Sequence, residues 1–221
     1  MKPYYEHAGI TIYHGSVLDF DSISVDALIT DPVWPNCPPG LLSGADNPGS
    51  LFSLMWSSVY KASLKRAVII LRHDSDPRFL NSVPLKYARS VQLPYVMPGY
   101  IGRWLGGDET AYCFGEPIPS REGQKVIPGR GPSQQPTGRP ANGHPCSRAY
   151  GHMEFLVRWW SEPEETVLDP FCGSGTTLHA AKNLGRKAIG IEIEEKYCEI
   201  AAKRLSQEVF QFEQALSCQS S

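Results

Sequence analysis

The chain has 221 residues, of which 41% are hydrophobic and 20% charged, and its formal net charge is −2. That size suits one α/β domain with a buried core; the composition excludes a wholly disordered chain, and the slightly acidic balance excludes a broad basic footprint, so any nucleic-acid site must be local. No apolar run reaches the roughly 18 residues of a membrane span and no signal-peptide core follows Met1 to Glu6, so the expectation is a cytoplasmic protein with no membrane contact.

Ile10 to Tyr13 alternates as a short strand and ends at His14-Gly15-Ser16, a turn that leads into a brief helical segment from Val17 to Phe20. The next strand, Asp26 to Thr30, runs straight into Asp31-Pro32-Val33-Trp34. A carboxylate, a rigid proline and a large aromatic ring thus stand at the C-terminal end of a predicted strand, where open α/β sheets place their ligands. Trp34 to Gly49 is rich in Pro, Gly and Asn and reads as a loop beside that end. Apolar residues at near-helical spacing predict a helix over 51–65, followed by a buried strand from Ala67 to Leu71. Two or three more strands fall within 90–100 and 111–114, divided by turns at Pro98-Gly99 and Gly106-Gly107.

Gly115 to Pro145 differs in kind. Thirteen of its 31 residues are Gly or Pro, which argues against regular structure. From Gly115 to Arg148 the basic residues Arg121, Lys125, Arg130, Arg139 and Arg148 face only Glu116 and Glu122. Two readings stay open: a solvated loop, or a basic insert over 115–148 that orders on a phosphate backbone.

Met153, Leu156, Val157 and Trp160 mark one helix face, and Thr166-Val167-Leu168 then suits a buried parallel strand. Asp169-Pro170-Phe171-Cys172-Gly173-Ser174-Gly175 breaks that strand sharply. Beyond it Leu178, Ala181 and Leu184 recur at helical spacing, with Thr176 or Thr177 as the cap and Gly185 as the stop. Strand, glycine turn and helix make half of a nucleotide-binding unit. The following strand, Lys187 to Glu192, places Glu192 at its end, 17 residues beyond Gly175, where a ribose diol wants a two-oxygen acceptor. The turn lacks the third glycine of the dinucleotide fingerprint and the Lys-Ser/Thr ending of a triphosphate loop, so a cofactor without a phosphate chain fits it better. Tyr197, Ala201 and Leu205 predict a last helix, and the tail over 212–221 reads as frayed. The six cysteines form no Cys-x-x-Cys pair and no zinc pattern with histidine, so they read as reduced thiols and no metal is expected.

Asp169 to Thr177 resembles the S-adenosylmethionine loop of the amino-group DNA methyltransferases, which methylate adenine N6 or cytosine N4. Asp31-Pro32-Val33-Trp34 is similar to the catalytic Asp-Pro-Pro-aromatic tetrapeptide of that family, with Val33 in place of the second proline and one fixed φ lost beside the Pro32 carbonyl. The catalytic loop precedes the cofactor loop, an order that resembles the permuted beta class of the family. His144-Pro-Cys-Ser-Arg148-Ala is similar to that class's His-Pro-x-x-Lys-Pro segment, and Ser16 stands where the family often has an Asp that meets the cofactor's adenine.

The resemblance implies a single Rossmann-like methyltransferase domain over 1–221: doubly wound α/β, circularly permuted, with a mostly parallel seven-stranded sheet. It implies S-adenosylmethionine held by Asp169, Phe171, Gly173, Ser174, Gly175, Thr176, Thr177 and Glu192, with Ser16 and Arg148 beside it. Asp31 and the Pro32 carbonyl would accept the two hydrogens of the target amine and free its lone pair, while Trp34 would stack on an extruded base. Double-stranded DNA would be the partner, met by Arg121, Lys125, Arg130 and Arg139, with a homodimer as one way to cover a target site and restriction-modification as the setting. Adenine is favoured over cytosine because N4 enzymes more often carry Ser at the position of Asp31. The alternatives are an N4-cytosine enzyme, a catalytically weak DNA- or cofactor-binding protein, and a methyltransferase acting on RNA or protein.

Overall fold

The computed structural model describes residues 1–59, 63–96, 107–118, 128–135 and 147–207, together with the backbone of 100–101 and 104–105. In chain order the elements are β1 (Tyr5–His7), β2 (Ile10–His14), a 3-10 turn (Val17–Asp19), β3 (Ala27–Thr30), α1 (Pro48–Ser58), β4 (Arg66–Arg72) and a second 3-10 segment (Pro77–Ser82). They continue with β5 (Tyr87–Leu93), β6 (Tyr100–Ile101), β7 (Trp104–Leu105), β8 (Glu109–Gly115), α2 (Tyr150–Trp160), β9 (Thr166–Asp169), α3 (Thr176–Asn183), β10 (Lys187–Glu192) and α4 (Glu195–Ser206).

The main sheet has eight strands, not seven, in the order β1-β2-β10-β9-β3-β4-β8-β5. The five from β2 to β4 are parallel to their neighbours, while β1 joins one edge antiparallel and β8 and β5 extend the other antiparallel. All four residues of β3 are buried, as are six of the seven in β4, because helices cover both faces. On one face Met153, Leu156, Leu178, Cys198 and Leu205 of α2, α3 and α4 pack over Ile29, Ile70 and Val167. On the other Phe52, Met55 and Trp56 of α1 pack over Leu28, Ile69 and Leu168.

Three boundaries differ from the sequence reading. α1 runs from Pro48 to Ser58 and stops short of residue 65 because Val59, 3% exposed, turns extended and bridges Ile23. Its start is set by Asn47, whose Oδ1 accepts the Ser50 N–H, with Pro48 in the first turn. α3 is entered from Gly175 in a left-handed conformation (φ +75°), not from a threonine cap, since Thr176 and Thr177 use their hydroxyls elsewhere. Within the Gly/Pro-rich insert, residues 128–135 are not free of pairing: Arg130 bridges Gln92 and Gln134 bridges Tyr95, continuing the exposed side of β5.

One feature of the topology decides where a ligand belongs. From β3 the chain passes through α1 to β4 on one side, and from β9 it passes through α3 to β10 on the other. The winding therefore reverses between β3 and β9, and the crevice beyond their C-terminal ends is the ligand position of an open α/β sheet.

Candidate active site

The β9 side of that crevice is built around Asp169, buried at 3% exposure. Its Oδ1 accepts from the Thr30 hydroxyl at 2.7 Å and from the Phe171 N–H at 3.3 Å, and its Oδ2 accepts from the Thr177 hydroxyl at 2.5 Å. Burial pushes this carboxyl up to about 6, while the hydroxyls of Thr177 and Thr30 pull it back. The turn closes by Gly175 N–H donating to the Cys172 carbonyl at 2.8 Å. Left-handed φ at Gly175 is matched by close approach, since a Cβ there would lie 2.9 Å from the Ala201 methyl.

Glu192 ends β10 facing the same turn. It accepts the Gly173 N–H on Oε2 at 2.8 Å and the Glu194 N–H on Oε1 at 2.9 Å. Burial raises its carboxyl, against those two N–H groups. Ser174 shares a 3.0 Å hydroxyl contact with Ser147, and Thr176 Oγ1 accepts from Arg204 at 3.0 Å. Ser16 caps the first 3-10 turn: its Oγ accepts the Leu18 N–H, and its own N–H donates to Asp19 Oδ2 at 2.8 Å.

Asp31 follows the buried β3 directly. Both of its oxygens are taken by Arg148 in a side-on fork, Nε to Oδ2 and Nη2 to Oδ1, the latter at 2.6 Å. Nη1 of Arg148 reaches Glu109 Oε1, and Glu109 Oε2 accepts from the Tyr95 hydroxyl at 3.3 Å. Burial drives the Asp31 carboxyl upward while Arg148 pulls it back. Burial likewise carries Glu109 to about 7, with Arg148 opposing and Asp31 adding to the rise. Arg148 itself loses solvation, but its two carboxylate partners outweigh that loss and hold it firmly charged. Pro32, Val33 and Trp34 are buried, Trp34 at 4% exposure in a small cluster with Cys37 and Ala45. The Arg72 guanidinium lies 5.4 Å from the Trp34 ring centroid and is itself held by Asp74.

The two sides open into one cavity of about 500 Å³. Asp31, Pro32, Trp34, Ser16 and Arg148 line it together with Asp169, Phe171, Gly173, Ser174, Thr176, Thr177 and Glu192; of the predicted catalytic and cofactor residues only Gly175 does not. Residues 40–44 also line the cavity, and the Ser43 hydroxyl donates to Glu194 Oε1 at 2.5 Å. Five carboxylates, Asp31, Asp46, Asp169, Glu192 and Glu194, line it against the cations Arg148 and Lys196.

Glu109 and Tyr95 carry no motif, and sequence reasoning missed both. Their place follows from β8 lying antiparallel to β4, which sets Glu109 opposite Arg72 at the C-terminal end of β4, the same end of the sheet as Asp31. Arg130 is exposed; Arg121, Lys125 and Arg139 lie outside the described residues, as does His144. Among the described residues no group of three or more His, Cys, Asp or Glu could hold a metal, and no helix is long and apolar enough to cross a membrane.

A protein-family model described as DNA methylase matches residues 55–203. Type II methyltransferase M2.LlaDCHI of Lactococcus lactis subsp. cremoris is 44% identical over 66 residues, 30% of this chain and 24% of that protein. Type II methyltransferase M.HinfI of Haemophilus influenzae is 60% identical over 45 residues, 20% of this chain and 12% of that protein. The chain therefore spans a quarter or less of those curated relatives. Among solved structures, the M1.HpyAVI-SAM complex is 25% identical with a TM-score of 0.66 and covers 90% of this chain and 100% of that one. The PvuII DNA methyltransferase (cytosine-N4-specific) is 19% identical with a TM-score of 0.66, covers 93% of this chain and 89% of that one, and speaks to the fold alone.

Proposed function

The chain belongs to the N6/N4 DNA methylase family, and from that premise we propose that it transfers a methyl group from S-adenosyl-L-methionine to the exocyclic amine of a base in double-stranded DNA, adenine N6 ahead of cytosine N4. The observation that carries this reading is the single cavity shared by the Gly173 turn and Asp31 across the reversal between β3 and β9.

The cavity's residues fit the cofactor. An excess of carboxylates suits a cation without phosphates, the M1.HpyAVI relative was solved with SAM, and each Glu192 oxygen keeps a lone pair beyond its N–H partner for a ribose diol. Phe171 and the Gly173 turn would hold the adenosine end, with Ser16 beside them. Bound there, S-adenosylmethionine supplies a methyl group already activated on a sulfonium. Asp31 and the Pro32 carbonyl accept the two amine hydrogens, which draws the aromatic nitrogen toward sp³ and turns its lone pair to the methyl carbon. The bound cofactor would supply the methyl group and keep the bonding electrons on its sulfur, and Asp31 or solvent would take up the amine proton. Trp34, buried yet part of the cavity lining, would stack on an extruded base.

The order of the two loops, Asp31 before Gly173, supports a circularly permuted arrangement, and the Type II relatives support a restriction-modification setting. Arg130 and the basic residues of the insert are the proposed contacts to the DNA backbone.

The test is incubation of DNA with labelled S-adenosylmethionine followed by digestion to nucleosides. N6-methyladenine is the expected product; N4-methylcytosine alone would correct the base, and no label in DNA would remove the activity. Asp31→Asn should lose transfer by about 100-fold or more while binding the cofactor as the wild type does.

A further inference from the structure

We propose that Asp31 and Arg148 together read the amine-and-ring-nitrogen edge of the extruded base, Asp31 accepting an amine N–H while Arg148 donates to the unprotonated ring nitrogen beside it. This rests on the methyl-transfer reading above and adds a substrate-selecting role for Arg148, which the resemblance placed only near the cofactor.

Three observations support it. Arg148 and Asp31 both line the cavity, so the pair meets whatever enters beside Pro32. A guanidinium has five N–H groups, and among the described residues three are committed: Nε and Nη2 to Asp31, and Nη1 to Glu109. One N–H on Nη2 and one on Nη1 remain. A carboxylate has four lone-pair sites, of which the fork uses two, so Asp31 can accept the amine without releasing Arg148. Both groups are planar, which puts the free lone pair of Oδ1 and the free N–H of Nη2 on the same outer edge.

The spacing agrees as well. Oδ1 and Nη2 are 2.6 Å apart. In adenine the exocyclic nitrogen and N1 share one carbon, as the exocyclic nitrogen and N3 do in cytosine. Two C–N bonds of about 1.33 Å at 120° put those nitrogens about 2.3 Å apart. An acceptor beside a donor therefore faces a donor beside an acceptor, one hydrogen bond to each. Guanine and thymine present a carbonyl oxygen where the amine should be and an N–H where the acceptor should be. In the register of adenine N6 and N1, or of cytosine N4 and N3, both contacts then turn repulsive against Asp31 and Arg148, so the pair disfavours a keto edge at that position. Glu109 is the positioning residue of the set: it does not line the cavity, and its bond to Nη1 fixes the angle at which Arg148 presents Nη2.

The experiment uses duplexes carrying the site that wild-type enzyme methylates, with the target adenine or its 1-deaza analogue, which keeps the amine and replaces N1 by C–H. Were the target cytosine, 3-deazacytosine takes its place. Single-turnover rates are compared for the wild type, Arg148→Met and Arg148→Lys. The preference for the natural base should be about 10–100-fold larger in the wild type than in Arg148→Met, the worth of a hydrogen bond from a charged donor, and Arg148→Met should be slow on both. Arg148→Lys, which keeps a charged donor but loses the fork, should fall between. The comparison across enzymes cancels the change in amine reactivity that the analogue brings. A ratio unchanged from wild type in Arg148→Met overturns the proposal, and so does a ratio unchanged in Arg148→Lys where the Met variant does not fold. Failure of the wild type to methylate the natural site speaks against the methyl-transfer reading instead.

Discussion

Replacing Thr177 by Val keeps the shape of the side chain and removes the hydroxyl that donates to Asp169 Oδ2 at 2.5 Å. Asp169 is 3% exposed, and without that donor its carboxylate keeps, among the described residues, only the Thr30 hydroxyl and the Phe171 N–H. A hydrogen bond to a charged group contributes about 1.5–3 kcal/mol, which in a chain of this size lowers the melting temperature by about 3–12 °C. The pH dependence separates this cause from simple repacking. Asp169 is already raised to about 6, and losing Thr177 raises it further, because the hydroxyl favours the ionised form. The unfolded chain then binds fewer protons than the folded mutant across a wider window, so the loss in stability grows as pH rises through 6 and shrinks below it. Denaturant unfolding at pH 8 and pH 5 measures both quantities. A loss under about 0.5 kcal/mol at pH 8, or an equal loss at both pH values, would show that Thr177 does not stabilise an ionised Asp169.

Gly175→Ala combines left-handed strain with a Cβ set 2.9 Å from the Ala201 methyl, and should cost about 2–5 kcal/mol by denaturant unfolding. Adding Ala201→Gly relieves the contact but not the φ, so part of the loss should return; no recovery would place the whole effect in the backbone. Glu109 titrates at about 7 against an ordinary 4.5, so its contribution to stability is full below 4.5 and is lost as pH climbs through 7. That gap corresponds to about 3 kcal/mol. Glu109→Gln should flatten the fall in stability across this window, and a mutant whose stability still falls as steeply would assign the titration to another group.

What the sequence made readable was local in origin. β9, the glycine turn and β10 each announce themselves through a short apolar run or a turn residue, and the helical stripes of α2 and α4 follow the same way. The cap of α3 was misread because a threonine after glycines signals a cap only when its hydroxyl is free to turn back on the helix. Here Thr177 is drawn to Asp169 and Thr176 to Arg204, both through tertiary contacts. β1 escaped notice because Tyr5, Glu6 and His7 are largely exposed and show no apolar alternation. Glu109 and Tyr95 escaped for a different reason: their nearness to Asp31 depends on the antiparallel pairing of β8 with β4 and β5, a relation that no short window contains.

Those tertiary relations also bear on the departure at Val33. The family's tetrapeptide has a second proline there, and its loss frees one backbone angle next to the carbonyl proposed to accept the amine. Three other restraints act on the same four residues. β3 and β9 pair in register, Ala27 with Val167 and Leu28 with Leu168, and Thr30 then crosses to Asp169, tying Asp31's neighbour to the turn 139 residues later in the chain. Arg148 grips the Asp31 carboxylate from the other side, anchored in turn on Glu109. Val33 itself is 8% exposed and packs with Trp34, Cys37 and Ala45, so burial holds the angle that a proline ring would have fixed. The proposed acceptor pair is therefore positioned by the strand end, the arginine fork and the apolar cluster together, and the missing proline is no reason to expect an inactive site.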